Sequence, residues 1–329
     1  MNKGLKWVSI LTTIGMFIVL VMGALVTKTG SADGCGNTWP LCHGKFAPLA
    51  SLESLIEYNH RLVSGIVGLL VAWQSIWAWR KLGHVRGVKF FAFFGFFLTF
   101  AQALLGAAAV MWGQSSAVLA LHFGLSLTAF ASVLLLTILV YETSWFKEAA
   151  LPPVSTGLKI GIWSLTIYCY IVVYLGAFVR HTQAFGCYAW PKCTDQWIPA
   201  LTGPAGFQVI HRIAAFLFLV FMVGVTVYMV RKVQHRKDLV VASILSLVLT
   251  IGQVLSGAYV VLTGISLFPS LLHNMIISAL FGVLCYLCFQ SLDQKQKTGE
   301  GLQPIQADSS GQTLNPSIPS VGKEEPISG

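Results

Sequence analysis

The sequence predicts an all-α integral membrane protein in which eight transmembrane helices form two tandem, pseudo-symmetric four-helix bundles. Three observations lead to this fold class. The 329 residues are 55% hydrophobic and only 10% charged, which is outside the usual range of water-soluble domains. The apolar residues gather in eight segments, each near the ~20-residue length that spans a bilayer. Several residues also recur at one fixed spacing, which indicates that the chain is a duplicated unit.

Each apolar segment is predicted to be a helix, because a backbone within lipid must satisfy its own hydrogen bonds. The first segment starts with basic residues, as a signal peptide does. It is long for a signal peptide and lacks a small-residue cleavage site, so we expect it to be the first span. The predicted spans cover residues 7–26, 60–79, 88–112, 117–141, 159–179, 207–230, 239–262 and 268–290.

The basic residues predict the orientation, because most of them flank the spans on one side and the positive-inside rule assigns that side to the cytoplasm. Both termini are then cytoplasmic, and the loops 28–59 and 181–206 lie at the outer face of the cell membrane. The net charge of +9 is spread over span ends, so we expect a lipid bilayer and no nucleic acid as partner. The cytoplasmic set is Lys3, Lys6, Arg80, Lys81, Arg86, Lys89, Lys147, Lys159, Arg231, Lys232, Arg236 and Lys237.

The duplication is defined by two histidine pairs. His60 and His122 recur as His211 and His273, since 211 − 60 and 273 − 122 both equal 151. Each copy holds an even number of spans, so both copies insert the same way up, related by a pseudo-two-fold axis along the membrane normal. We predict one bundle at residues 1–145 and another at 155–292, followed by a disordered cytoplasmic tail at 293–329. The same offset relates Gln102 to Gln253 and Trp39-Pro40 to Trp190-Pro191.

These histidines are the main candidates for function, because an ionisable side chain inside a span is rarely without a role. Neutral imidazole is a common axial ligand of haem iron. We predict that His60 and His122 bind one haem and that His211 and His273 bind a second. The alternative is that all four donate to neighbouring carbonyls. The other outer histidines, His43 and His181, are expected to be surface residues of the outer loops.

Two further residue types accompany the pairs. Arg61 and Arg212 directly follow histidines at the outer side, where a guanidinium could bind a haem propionate or could reach water from a helix end. Both interpretations stay open at this point. Gln102 and Gln253 are expected to bridge helices, with a haem contact as the alternative.

The two copies differ beside the first histidine of each pair. Glu57 stands three residues before His60, and Gln208 stands three residues before His211. Residues three apart share a helix face, so only the first half has a carboxylate beside its histidine. A carboxylate there could stabilise developing positive charge or move a proton. We predict that Glu57 is catalytic, against the alternative of an exposed glutamate favoured by the helix dipole.

Cysteines occur in pairs in the two outer loops, Cys35 with Cys42 and Cys187 with Cys193. An oxidising outer face permits a disulfide within each loop. We favour this structural role over a catalytic dithiol, which remains open because exposed disulfides are the most easily reduced. Cys169, Cys285 and Cys288 lie within spans and are expected to be packing residues.

Together these features resemble the haem A synthase family, in the form with outer-loop cysteines found in Gram-positive bacteria. The similarity covers residues 1 to about 290, and the duplicated set is more specific than any single motif. The matching residues are Gly23-Ala-Leu-Val-Thr27, Cys35 through Cys42, Glu57-Tyr-Asn-His60-Arg61, His122, Gly176-Ala-Phe-Val-Arg180, His211-Arg212 and His273.

The resemblance implies oxidation of the C8 methyl of haem O to a formyl group by successive hydroxylations, which gives haem A for cytochrome oxidase. It implies that His60 and His122 hold the substrate haem beside a catalytic Glu57. It also implies that His211 and His273 hold haem b as an electron carrier. Contact with haem O synthase and homo-oligomers are further implications. The reaction needs an electron donor, which no residue of the sequence specifies.

Two other functions fit part of the same pattern. A di-haem b membrane electron carrier linked to quinol would also need two histidine pairs, but it would have no use for Glu57. A thiol-disulfide enzyme would depend on Cys35 and Cys42 and not on His60.

Overall fold

A computed structural model describes residues 3–47, 50–113, 115–142, 152–182, 185–194, 197 and 201–292. Eight helices in this part of the chain are long and apolar enough to cross a membrane, which confirms the eight predicted spans. The predicted tail at 293–329 and most of the predicted junction between the halves lie outside the described residues. The helices are α1 (Lys3–Thr29), α2 (Leu52–Leu82), α3 (Val88–Trp112), α4 (Ser116–Glu142), α5 (Thr156–His181), α6 (Gly203–Lys232), α7 (Lys237–Leu262) and α8 (Leu267–Ser291).

Two helices begin earlier than the hydropathy pattern predicts. The expectation that the second span opens at His60 was wrong, because α2 begins at Leu52, where the Ser51 side chain accepts a hydrogen bond from the Ser54 N–H. The sixth helix likewise begins at Gly203, with a proline in its first turn. The extra segment of α2 contains polar residues such as Glu53 and Glu57, and that of α6 is Gly-Pro-Ala-Gly, so the apolar run understates both. As a result, His60 and His211 lie about two turns inside their helices.

The helices of each half form a closed ring of neighbours. In the first half α1 contacts α2, α2 contacts α3, α3 contacts α4, and α4 returns to α1; α5 to α8 repeat this order. The two rings meet through α1, α4, α5 and α8. Of the eight helices, α4 is the most deeply buried. Large apolar side chains such as Trp73 and Phe93 stay exposed on the outer helices, as suits a surface covered by lipid.

Apolar packing and a few hydrogen bonds hold the rings together. The largest core cluster joins α4, α5, α6, α7 and α8 around side chains such as Leu127, Ile162 and Leu284. Near one end, Arg180 on α5 donates to the Thr27 carbonyl of α1 at 2.9 Å. Thr27 ends the motif that begins at Gly23, and Arg180 ends the matching motif that begins at Gly176. Equivalent ends of the two halves therefore meet where the two rings are in contact.

Each half carries one disulfide-closed loop before its second helix. Cys35 is bonded to Cys42 and Cys187 to Cys193, with Cα atoms 4.4 Å apart in both pairs. The predicted pairing is therefore confirmed. Both loops contain a cis Trp-Pro bond, so the duplication extends to the loops.

Candidate functional site

A large cavity runs through both halves on the side of the disulfide loops. Its volume is about 1210 Å³, above the ~300–1,000 Å³ typical of pockets for one small molecule. It is lined mainly by apolar side chains of α1 to α8. The predicted site residues that line it are Glu57, His60, Arg61, His122, His211, Arg212 and His273.

The cavity brings the histidines together in the predicted pairs. His60 on α2 lies within electrostatic range of His122 on α4. His273 on α8 stands in the same relation to His211 on α6. The pairs come from parallel helices of one ring, as the duplicated spacing predicts.

Each histidine ring packs against a glycine of the preceding helix. A Cβ atom added at Gly23 would lie 3.4 Å from His60 Cε1, and one at Gly106 would lie 3.4 Å from His122 Cε1. The second half is tighter. The corresponding distances are 2.9 Å from Gly176 to His211 and 3.2 Å from Gly257 to His273. A larger residue at Gly176 or Gly257 would therefore press on the imidazole, whereas the rings of the first half lie at ordinary contact distance from their glycines.

Most of the buried Nδ1 atoms of the paired histidines lack a hydrogen-bond partner among the described residues. Within the described residues, Nδ1 of His60 and of His122 is buried without a hydrogen bond. His211 Nδ1 is likewise buried without a hydrogen bond, although the Val172 backbone lies close to the ring. The alternative that all four rings donate to carbonyls therefore gains no support from this geometry. Paired imidazoles on a large apolar cavity, each set against a glycine, fit two-histidine binding of a haem in each half.

His273 differs from the other three rings because both of its nitrogens have partners. Its Nδ1 lies 2.9 Å from the Ser256 hydroxyl, and its Nε2 lies 3.0 Å from the Gln253 side-chain nitrogen. In the first half, the Gln102 side-chain oxygen instead accepts from Ser126 at 3.1 Å. Both glutamines thus bridge neighbouring helices, as expected.

Glu57 is buried, with a relative exposure of 3%, so the alternative of an exposed glutamate is wrong. One carboxylate oxygen accepts from the Cys35 N–H at 2.7 Å. The other forms an ion pair with Arg61. At the equivalent position, the Gln208 side-chain oxygen accepts from the Cys187 N–H at 2.8 Å. Glu57 and Gln208 therefore hold equivalent loops. Glu57 does so with a charged side chain and Gln208 with a neutral one.

The two arginines reach back to the loops. Arg61 Nη1 donates to the carbonyls of Thr38 and Leu41 at 2.6 and 2.9 Å. Arg212 Nη1 donates to the Lys192 carbonyl at 3.1 Å. Because Gln208 supplies no charge, Arg212 Nη2 remains buried without a partner among the described residues. A carboxylate entering the second half would find a free guanidinium nitrogen there.

Three basic residues where the two halves meet were not singled out from the sequence as site residues. Lys28, Arg180 and His181 all line the cavity. The expectation that His181 is a surface residue of an outer loop was wrong, since it ends α5 within electrostatic range of His122. The sequence did contain a signal for these positions, since Arg180 ends a motif that occurs in both halves. That position places Arg180 and His181 at a helix end that faces the other half.

Comparisons with known proteins identify the family of this chain. The profile of the COX15-CtaA family, described as cytochrome oxidase assembly protein, matches residues 50–285. The haem A synthase of Halalkalibacterium halodurans is 47% identical over 289 residues, or 87% of this chain and 97% of that protein. The haem A synthases of Geobacillus kaustophilus and Shouchella clausii are 44% and 43% identical, over 89% and 90% of this chain and 93% and 100% of theirs. The chain therefore belongs to the haem A synthase family.

Proposed function

We propose that this membrane protein is a haem A synthase that oxidises the C8 methyl of haem O to a formyl group, giving haem A for cytochrome oxidase. The observation that carries the proposal is one cavity lined by two histidine pairs in a chain 47% identical to a named haem A synthase. The electron-carrier alternative has no support among these relatives. Burial of Cys35, Cys42, Cys187 and Cys193 argues against a thiol-disulfide enzyme as well.

The two halves have different tasks in this proposal. The first half, residues 1–145, binds haem O through His60 and His122. The second half, residues 155–292, holds a haem b through His211 and His273, and that group would supply one-electron transfer. The asymmetry in charge supports this division. Arg61 is neutralised by Glu57, whereas Arg212 keeps a guanidinium nitrogen for a haem propionate.

Glu57 is the catalytic residue of the first half. Its carboxylate lines the cavity that holds His60, and its position is set by the Cys35 N–H and by Arg61. A fixed negative charge there stabilises positive charge that develops as the methyl carbon is oxidised. Arg61 orients this carboxylate toward the loop, while the apolar lining excludes water from the reacting carbon.

The same proposal includes the orientation and the partners. Both termini are cytoplasmic, and the disulfide loops lie at the outer face of the cell membrane, as the distribution of lysine and arginine indicates. Haem O synthase supplies the substrate, an electron donor closes the redox cycle, and the chain forms homo-oligomers.

The test is to purify the full chain from a host that makes haem O, extract its haems and separate them by chromatography. We expect haem A with haem O and haem b, and we expect haem A to disappear in His60→Ala while haem b remains. A wild-type chain that accumulates haem b and haem O but never haem A would overturn the proposed activity.

A further inference from the structure

Two hydroxyl groups distinguish the surroundings of His122 and His273. Ser256 on α7 stands where the first half has Leu105, since 256 − 105 equals the repeat offset of 151. Ser126 on α4 stands where the second half has Ile277, at the same offset. One serine is therefore placed in each half, but on different helices and with different partners.

In the second half, the serine binds the histidine. The Ser256 hydroxyl donates its hydrogen to the Gln253 carbonyl at 3.0 Å. While it donates there, it can only accept at its contact with His273 Nδ1, 2.9 Å away. Nδ1 must then carry the ring hydrogen, and the lone pair lies on Nε2. The side-chain nitrogen of Gln253, a donor 3.0 Å from Nε2, agrees with this assignment.

In the first half, the serine binds the glutamine instead. Ser126 donates to the Gln102 side-chain oxygen at 3.1 Å, which satisfies the amide and not the ring. His122 Nδ1 is buried without a partner among the described residues, and Leu105 offers no hydroxyl. The ring of His122 is therefore free of the contact that fixes His273.

We propose that Ser256 is a positioning residue that fixes His273 as the Nδ1–H tautomer and makes the second half retain its haem more tightly than the first. This inference rests on the proposed function, in which both halves bind haem. A hydrogen bond from Nδ1–H to an acceptor orients an imidazole and raises the donor strength of its other nitrogen. An enzyme that converts one haem into another must release its product from one site and keep its electron carrier in the other.

The experiment measures haem loss from the full chain, loaded with haem b alone in a host without haem O. Excess apomyoglobin takes up released haem, and absorbance follows the transfer. We expect a fast and a slow phase in the wild type, with the slow phase abolished by His273→Ala and the fast phase by His60→Ala. Ser256→Ala should accelerate the slow phase about 10- to 100-fold, the usual effect of removing such a partner, and leave the fast phase unchanged.

A second readout separates tautomer control from general loosening. Removal of the acceptor weakens electron donation to the iron, so Ser256→Ala should raise the midpoint potential of the slowly released haem. The matched control is Ser246→Ala, the same change in the same helix, buried but outside the cavity lining. It should change neither the slow phase nor the potential. The converse variant Leu105→Ser should slow the fast phase.

The outcomes distinguish this inference from the proposed function. A slow phase and potential unchanged in Ser256→Ala, with haem bound in both halves, would overturn the role of Ser256 and leave the synthase intact. Equal acceleration of both phases, or an equal effect of Ser246→Ala, would also overturn it. A wild-type chain that binds no haem would overturn the proposed function itself.

Discussion

Glu57 and Gln208 occupy equivalent positions and accept a backbone N–H from the first cysteine of their loops at 2.7 and 2.8 Å. An amide therefore holds this loop as well as a carboxylate does. The charge of Glu57 is therefore not needed for this loop contact, and its cost of burial is offset by Arg61. At the scale of one residue, both halves keep the contact that holds the loop. Only the first half adds a carboxylate at that position.

We predict that Glu57→Gln lowers haem A formation by about 10²-fold or more while the protein stays folded, since a positioned carboxylate typically contributes that much. Extracted haem A per protein is the measurement, with the thermal unfolding midpoint recorded in parallel. Glu57→Leu removes the loop contact as well and should lower the midpoint. Wild-type haem A formation in Glu57→Gln would show that the charge is not used, and unfolding of this variant would contradict its equivalence with Gln208.

Gly176 makes the closest approach to a histidine ring. A methyl group there would lie 2.9 Å from His211 Cε1, so Gly176→Ala must displace the imidazole. We expect loss of haem b from the second half and a stability decrease of about 1–3 kcal/mol, as for overpacked cores. The haem-to-protein absorbance ratio measures the first effect. Gly161→Ala in the same helix meets open space and should keep the haem; equal haem loss in both variants would contradict the prediction.

At the scale of elements, each disulfide loop is joined to the helix that carries the first histidine of its half. The contacts run from the loop backbone to Glu57 and Arg61 on α2, and to Gln208 and Arg212 on α6. The loop, the helix and the candidate ligand therefore form one unit. When the contacts to the helix are absent, as in the unfolded chain, the disulfide still limits the conformations of the loop.

We predict that Cys35→Ser with Cys42→Ser lowers the free energy of unfolding by about 2–3 kcal/mol, from the chain entropy of a short closed loop. The same change at Cys187 and Cys193 should cost a similar amount, because its loop is of nearly equal length. Thermal melts with and without reductant measure both. Haem A formation should fall more in the first variant, whose loop contacts Glu57. Melts that do not respond to either pair would contradict a structural role.

At the scale of the whole molecule, the two rings of helices share their most buried surfaces. Leu127 and Leu136 of α4, and Leu280 and Leu284 of α8, are 1% exposed or less. In the proposed function, the cavity that continues through both halves gives the substrate haem and the electron carrier a common apolar space. Separation of the halves would open both the packing and the cavity.

We therefore predict that the first half, expressed alone as residues 1–145, does not accumulate as a folded protein. Co-expression with residues 146–329 should restore it, and the two pieces should copurify with haem. Membrane yield and affinity copurification from detergent are the measurements. A first half that is stable and binds haem alone would show that the halves are independent domains.

Much of this architecture follows from local information in the chain. Hydropathy determined the eight helices, because the bilayer sets the length of an apolar span. The 151-residue offset determined which histidines form pairs, since copies of one fold place equivalent residues at equivalent points. The cysteine spacing determined the two disulfides.

Tertiary structure decided what depends on contacts between distant residues. The first turns of α2 and α6 lie outside the apolar runs, and tertiary contacts place them against their loops, as where the Ser54 hydroxyl donates to the Gly34 carbonyl. The glycine beneath each ring, the ion pair that buries Glu57 and the position of His181 beside the other half arise from helices adjacent in space. The contrast between Ser256 and Leu105 was present in the sequence, but only the packing of α7 on α8 gave that serine a histidine to bind.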